Sequence, residues 1–196
     1  MIFTNAQLQE LTQQAITAAL AAGHIINAHR ESKVRVHKKE TGTSTAAQVV
    51  TEVDHKAQAI ILEILQPLCE EYDLALLTEE SPDNGQRQFK SAFWSIDPMD
   101  GTLNFINGQP GFSVSIALVA KNGTPLLGVV YDPVENNLYQ AVRNARAYKN
   151  GERLKVSEQN LEQSLVLRTD FSFQTDPLLE QTLSGLQDVA HKLGLN

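Results

Sequence analysis

Phe93-Trp94-Ser95-Ile96-Asp97-Pro98-Met99-Asp100-Gly101-Thr102-Leu103-Asn104-Phe105 is the stretch whose reading decides the fold. Its apolar run, Phe93 to Ile96, reads as a buried strand. The strand is expected to stop at Asp97-Pro98, because proline fixes φ and lacks the donor that a further ladder step needs. Gly101 opens backbone conformations closed to other residues. Asp97 and Asp100 then stand three positions apart at a rigid turn. Like charges this close raise one pKa unless a cation or a hydrogen-bond network compensates. Hard oxygen donors of this kind suit Mg²⁺, which takes a few carboxylates and leaves its other positions to water and phosphate. The plainer reading is an Asp-rich turn whose side chains only accept backbone amides. Spacing alone leaves both open.

The 196 residues suffice for one domain, or for one and a fragment of another. A net charge of −7 argues against non-specific binding to a nucleic-acid polymer, which needs a basic surface. The single cysteine, Cys69, excludes an intramolecular disulfide and reads as a core thiol in an apolar helix. The start, Met1-Ile2-Phe3-Thr4-Asn5, lacks a basic segment followed by a long apolar run. No stretch approaches a membrane span, so no membrane partner and a cytoplasmic location are expected.

Outward from the central stretch, the chain before it is helical. Asn5 reads as an N-cap, and Leu8, Leu11, Ala15, Ala18, Ala22 and Ile25 recur at helical spacing up to about Arg30. Val34 to His37 alternates like a short strand, and Lys38 to Thr45 reads as a mobile basic loop, either a solvated face or a lid that meets phosphate. Thr51 or Asp54 starts a second helix whose apolar face is Ala57, Ile60, Ile61, Ile64, Leu65 and Leu68, with Pro67 expected to end or kink it. Asp54 taken alone is most simply an N-cap. Leu74 to Leu77 is a short strand running into Thr78-Glu79-Glu80-Ser81. If it lies beside the Phe93 strand, the two end with carboxylates side by side.

Beyond the central stretch, Phe112, Val114, Ile116 and Leu118 alternate with smaller residues, the period of a strand with one buried face. Asn122-Gly123 signals a hairpin, Leu126 to Tyr131 returns, and Leu138 to Val142 follows a further turn. Two helices ahead of a meander predict an α+β class, with the helices packed on an antiparallel sheet.

The wording of the central stretch resembles the signature of the inositol monophosphatase family of Mg²⁺-dependent phosphatases. Asp97-Pro98-Met99-Asp100-Gly101-Thr102, preceded by Trp94 and followed by Asn104-Phe105, carries the resemblance. Val50-Thr51-Glu52-Val53-Asp54, Leu77-Thr78-Glu79-Glu80-Ser81, and the run from Gly128 through Tyr131-Asp132-Pro133 to Asn150-Gly151 resemble the same family in the same order. The resemblance implies the N-terminal domain of the inositol monophosphatase and fructose-1,6-bisphosphatase-like fold. It implies Glu79, Asp97 and Asp100, with the Met99 carbonyl, as metal ligands for Mg²⁺. Asp100, Gly101 and Thr102, with Lys39 or its neighbour Lys38, match positions that meet the substrate phosphate. Asp54, Thr102 and Glu79 match the catalytic group that orients the attacking water.

One departure is large. The family's second signature, a Trp-Asp pair that supplies a further ligand, has no counterpart before Asn196. The expected organisation is therefore a metal-binding phosphatase domain over 1–160 and the start of a truncated α/β domain over 161–196. Leu165 to Arg168 would supply a strand, and Pro177 to Leu193 a helix whose apolar face favours association, with a homodimer expected. The activity implied is Mg²⁺-dependent hydrolysis of a small phosphate monoester of the inositol monophosphate type. The rivals are a 3′(2′),5′-bisphosphate nucleotidase activity, and an inactive truncated relative that acts by protein association.

Overall fold

The computed structural model describes residues 3–30, 36–38, 49–156, 158 and 185. The chain divides into two compact units, Met1–Leu154 and Lys155–Asn196, and every helix and strand named below lies in the first. The strand expected at 165–168 and the loop from Lys39 to Thr45 lie outside the described residues. Of the helix expected at 177–193, only residue 185 is described, and it is helical.

Helix α1 (Asn5–His29) has its cap one residue earlier than the expected Asn5. Thr4 is the N-cap, and its hydroxyl and the Gln7 side chain exchange hydrogen bonds with each other's backbone in a capping box. Its buried stripe is rich in small residues, Ala15, Ala18, Ala19 and Ala22 among Leu8, Leu11 and Ile26. Small side chains let α1 approach α2 (Glu52–Glu71), which faces it with Val53, Ala57, Ile61, Leu65 and Leu68. Each large aliphatic side chain so buried contributes about 1.5–3 kcal/mol. Pro67 does not stop α2, which continues to Glu71; it removes the donor that Glu63's carbonyl would accept.

A two-stranded pair, β1 (Val36–Lys38) and β2 (Val49–Thr51), runs antiparallel into the start of α2. The main sheet has seven strands in chain order: β3 (Ala75–Thr78), β4 (Ala92–Asp100), β5 (Ser113–Ala120), β6 (Pro125–Asp132), β7 (Asn137–Val142), β8 (Ala147–Lys149) and β9 (Glu152–Arg153). The helices pack on one face, α2 against β4 and α1 against β5 to β7. The α+β class holds, but the sheet is mixed, because β3 and β4 are parallel. A parallel pair needs a crossover, and the turn and 3₁₀ segment between Glu79 and Ser91, including Gln86–Gln88, provide it.

The expected stop at Pro98 does not occur either. Strand β4 runs on to Asp100, with a bulge in which three steps from Asp97 to Asp100 face two from Ser115 to Ser113. A bulge residue is left out of the ladder, so a proline there costs no hydrogen bond. Trp94 is fully buried in β4 as expected, while its indole N–H finds no partner among the described residues. Among those residues no helix is long and apolar enough to cross a membrane.

Gly23 sets how closely α1 meets the sheet. A Cβ built there would stand 2.3 Å from Tyr131 Cε1 and 3.3 Å from Pro133 Cβ. Tyr131 cannot easily yield, since it is buried and its hydroxyl donates to Asn136 Oδ1 at 2.9 Å. Overpacking of this kind costs about 1–3 kcal/mol. Gly23→Ala is therefore expected to lower unfolding free energy by about that amount in urea titrations, although alanine has the better helix propensity.

Candidate active site

Three chain segments meet at the C-terminal end of the β3–β4 pair. The first is the start of α2. Thr51, not Asp54, is the N-cap: its hydroxyl accepts from Val53 N at 3.1 Å and donates to Asp54 Oδ2 at 2.6 Å. Asp54 occupies the third helical position, and the same oxygen accepts from Thr51 N at 2.8 Å. With two donors on Oδ2, the other oxygen is left for a different partner. That partner is Thr102, whose Oγ1 lies 3.0 Å from Asp54 Oδ1. Asp54 is 1% exposed, and burial raises its pKa despite these hydrogen bonds, which pull the other way.

The second segment is the β4 bulge and the short helix α3 (Thr102–Ile106) that follows it. Gly101 has φ of +94°, and a Cβ there would stand 2.5 Å from the Gly111 carbonyl oxygen. Both facts require glycine. The fold of this loop is fixed by Asn104 Nδ2 donating to Gly111 O at 2.9 Å and by the edge-to-face pair Phe105–Phe112, centroids 5.5 Å apart. Thr102 Oγ1 also stands 3.1 Å from Met99 O. One hydroxyl carries one proton, so its lone pairs stay available to accept from a third group.

The third segment is the turn after β3. The parallel register pairs Thr78 with Ile96, and Glu79 N continues the ladder by donating to Ile96 O at 3.0 Å. Glu79 and Asp97 therefore come side by side, as the strand ends predicted. Asp97 Oδ1 accepts from Met99 N at 3.1 Å, so the plainer reading of an aspartate bonded to a backbone amide is also true. Burial, the charge of Glu79 and a hydrogen bond with it, and the charge of Asp100 push the Asp97 pKa up to about 8. A cleft of about 400 Å³, lined by Glu79, Asp97, Ser95, Ser115 and neighbours, opens beside them.

These carboxylates fit a divalent cation on their chemistry: they are hard oxygen donors, and the exposed Glu79 and Asp100 act on the half-buried Asp97. Among the described residues no three His, Cys, Asp or Glu side chains close a metal site by themselves. Mg²⁺ tolerates that, since it keeps several waters and takes one or two carboxylates with substrate phosphate. Lys39 lies outside the described residues, and of Lys38 only its place in β1 is described.

Two contributors were not singled out from sequence as site residues. Thr51 ties down the Asp54 oxygen. Gln58, one helical turn after Asp54, is 7% exposed and reaches the Glu79 turn: Oε1 accepts from Glu80 N at 3.2 Å, and Nε2 donates to Ser81 Oγ at 2.9 Å. The available signal was a polar residue inside the buried stripe of an amphipathic helix.

A sequence profile of the Inositol monophosphatase family matches residues 7–193. The chain is 38% identical over 167 residues to the Nus factor SuhB of Haemophilus influenzae, covering 84% of this chain and 59% of that protein. It is 36% identical over 173 residues to an inositol-1-monophosphatase of Synechocystis, covering 88% of this chain and 57% of that protein. The solved structure of an IMPase from Thermotoga maritima superposes with a TM-score of 0.63 at 35% identity, over 73% of this chain and 52% of that one. The chain thus spans less than two thirds of the length of each.

The raised Asp97 pKa has a signed consequence for metal-free protein. Between the unfolded value near 3.8 and the folded value of about 8, the native state holds a proton that the unfolded chain has lost. Stability from this group is complete below pH 4 and falls as pH rises toward 8. Denaturant titrations in EDTA are expected to show that fall between pH 5 and 8, and Asp97→Asn is expected to flatten it.

Proposed function

The chain belongs to the inositol monophosphatase family, and on that premise we propose that it hydrolyses a small phosphate monoester with the help of Mg²⁺. The observation that supports this most is the hydrogen bond from Thr102 to the buried Asp54, set at the end of the strands that carry Glu79 and Asp97. Glu79, Asp97 and Asp100, with the Met99 carbonyl, are the groups that would hold Mg²⁺. The chemistry Mg²⁺ supplies when bound is positive charge against the phosphate and a more acidic water.

The rest falls to this chain's own residues. Asp54 Oδ1 accepts the Thr102 hydroxyl proton. The Thr102 oxygen can then accept from a water and turn that water's lone pair toward phosphorus. Gly101 and the first amides of α3 hold the phosphate oxygens, because their N–H groups point out of the helix start. Lys39, or its neighbour Lys38, meets the same phosphate from the loop before β2. No covalent intermediate enters this reaction, since no serine or cysteine nucleophile takes part.

An inositol monophosphate is the substrate class that the family membership favours, with a 3′-phosphoadenosine-type nucleotide as its rival. A second reading, association with a protein partner, is favoured by the Nus factor name of the Haemophilus influenzae relative. Phosphate release separates them. With inositol 1-phosphate or 3′-phosphoadenosine 5′-phosphate, release is expected to need Mg²⁺ and to vanish in EDTA and in Asp97→Asn. Unchanged turnover in Asp97→Asn would sink the catalytic assignment, and silence on both substrates by folded protein would favour association. Asp54→Asn keeps a capping acceptor but orients the water poorly, and is expected to lower turnover about 10²–10⁴-fold. At pH 7 Mg²⁺ binding is expected to release about one proton, mostly from Asp97, as read by calorimetry in buffers of different ionisation heat.

A further inference from the structure

We infer that Gln58 is a positioning residue that holds the Glu79 turn in place and so sets how tightly the acidic site takes a divalent cation; this rests on the metal-binding reading above. Glu79 is itself exposed, and its carboxylate shares a hydrogen bond with Asp97. Its backbone is tied from two sides as well. On one side Glu79 N donates to Ile96 O of β4. On the other, the next two residues are tied to α2 through Gln58, by Glu80 N to Oε1 at 3.2 Å and by Nε2 to Ser81 Oγ at 2.9 Å.

The amide is suited to this because it offers an acceptor and a donor a short distance apart. Its orientation is not arbitrary, since a backbone N–H can only donate and must face Oε1. Gln58 sits among Val53, Asp54, Ala57 and Ile61 on the buried face of α2, at 7% exposure, so its side chain has little freedom. Asp54 lies one turn earlier on the same helix and reaches Thr102. One rigid helix therefore delivers both tethers, Asp54 to the bulge side of the site and Gln58 to the Glu79 side. A shift of α2 moves both together. Removing the Gln58 amide releases only Glu79 and leaves the Asp54–Thr102 contact intact.

The test is direct binding of Mn²⁺ as a spectroscopic stand-in for Mg²⁺, followed by electron paramagnetic resonance on the full chain. Gln58→Met keeps the length and apolar stem but loses both hydrogen bonds. It is expected to weaken Mn²⁺ about 10–100-fold, the usual size for losing a group that orients a metal ligand. Gln58→Glu can still accept from Glu80 N and from the Ser81 hydroxyl, and is expected to bind within a few-fold of wild type. Thermal unfolding of each variant fixes a temperature at which all remain folded. If Gln58→Met does not fold, Ser81→Ala removes one tie at an exposed position and is expected to weaken Mn²⁺ about 3–10-fold. Wild-type affinity in folded Gln58→Met, or in Ser81→Ala when that variant stands in, overturns the inference. Absence of Mn²⁺ binding by wild type overturns it together with the metal-binding reading, which distinguishes the two failures.

Discussion

Strand β4 must be two things along its length, and one extra residue makes that possible. Up to Ile96 it is a central core strand, with Ala92, Trp94 and Ile96 buried under the helices. From Asp97 it has to present carboxylates at the sheet's end while still burying Met99, which is 1% exposed. Regular alternation would fix every side chain to one face or the other. The bulge between Asp97 and Asp100 breaks that alternation, and Pro98 occupies it without a lost ladder bond. Gly101 then reverses the chain so tightly against Gly111 that no side chain fits.

Helix α2 depends on that arrangement and supports it in turn. Its capping box would stabilise an isolated helix end by about 1 kcal/mol. Here the box has a second use, because the acid that closes it has a free oxygen aimed at Thr102. A cap that only satisfied orphan amides could face water. This one is buried at 1% exposure, and the burial raises the pKa of Asp54. The same helix reaches the Glu79 turn through Gln58, so the helix start is both an anchor of the core and a frame for the polar cluster.

The carboxylates themselves work against the fold. The charges of Glu79 and Asp100 act on the half-buried Asp97, and a proton on Asp97 is what relieves them without a cation. Stability is given up locally for an arrangement that a small, hard cation would favour.

Sequence by itself determined a good deal: the two amphipathic helices, the hairpin strands, the glycine at position 101 and the acids at 79, 97 and 100. Those follow from local rules, namely periodicity, capping chemistry and positive-φ demands, which act over a few residues. Where the structure departs from those local rules, a tertiary constraint has met them. Pro98 was expected to end a strand, yet a bulge against β5 absorbs it. The meander from β5 onward is antiparallel as read, but the sheet as a whole is mixed, because β3 pairs parallel with β4 and strand direction depends on which edge the crossover reaches. Of the two starts the sequence leaves open for α2, Thr51 or Asp54, the backbone takes Thr51 as the cap and Asp54 closes the capping box. Only the folded chain could decide that Asp54 meets Thr102 across 48 residues, or that Gln58 ties down the turn beside Glu79. A hydrogen bond between distant segments leaves no periodic trace in sequence, because its partners are brought together by packing and not by spacing.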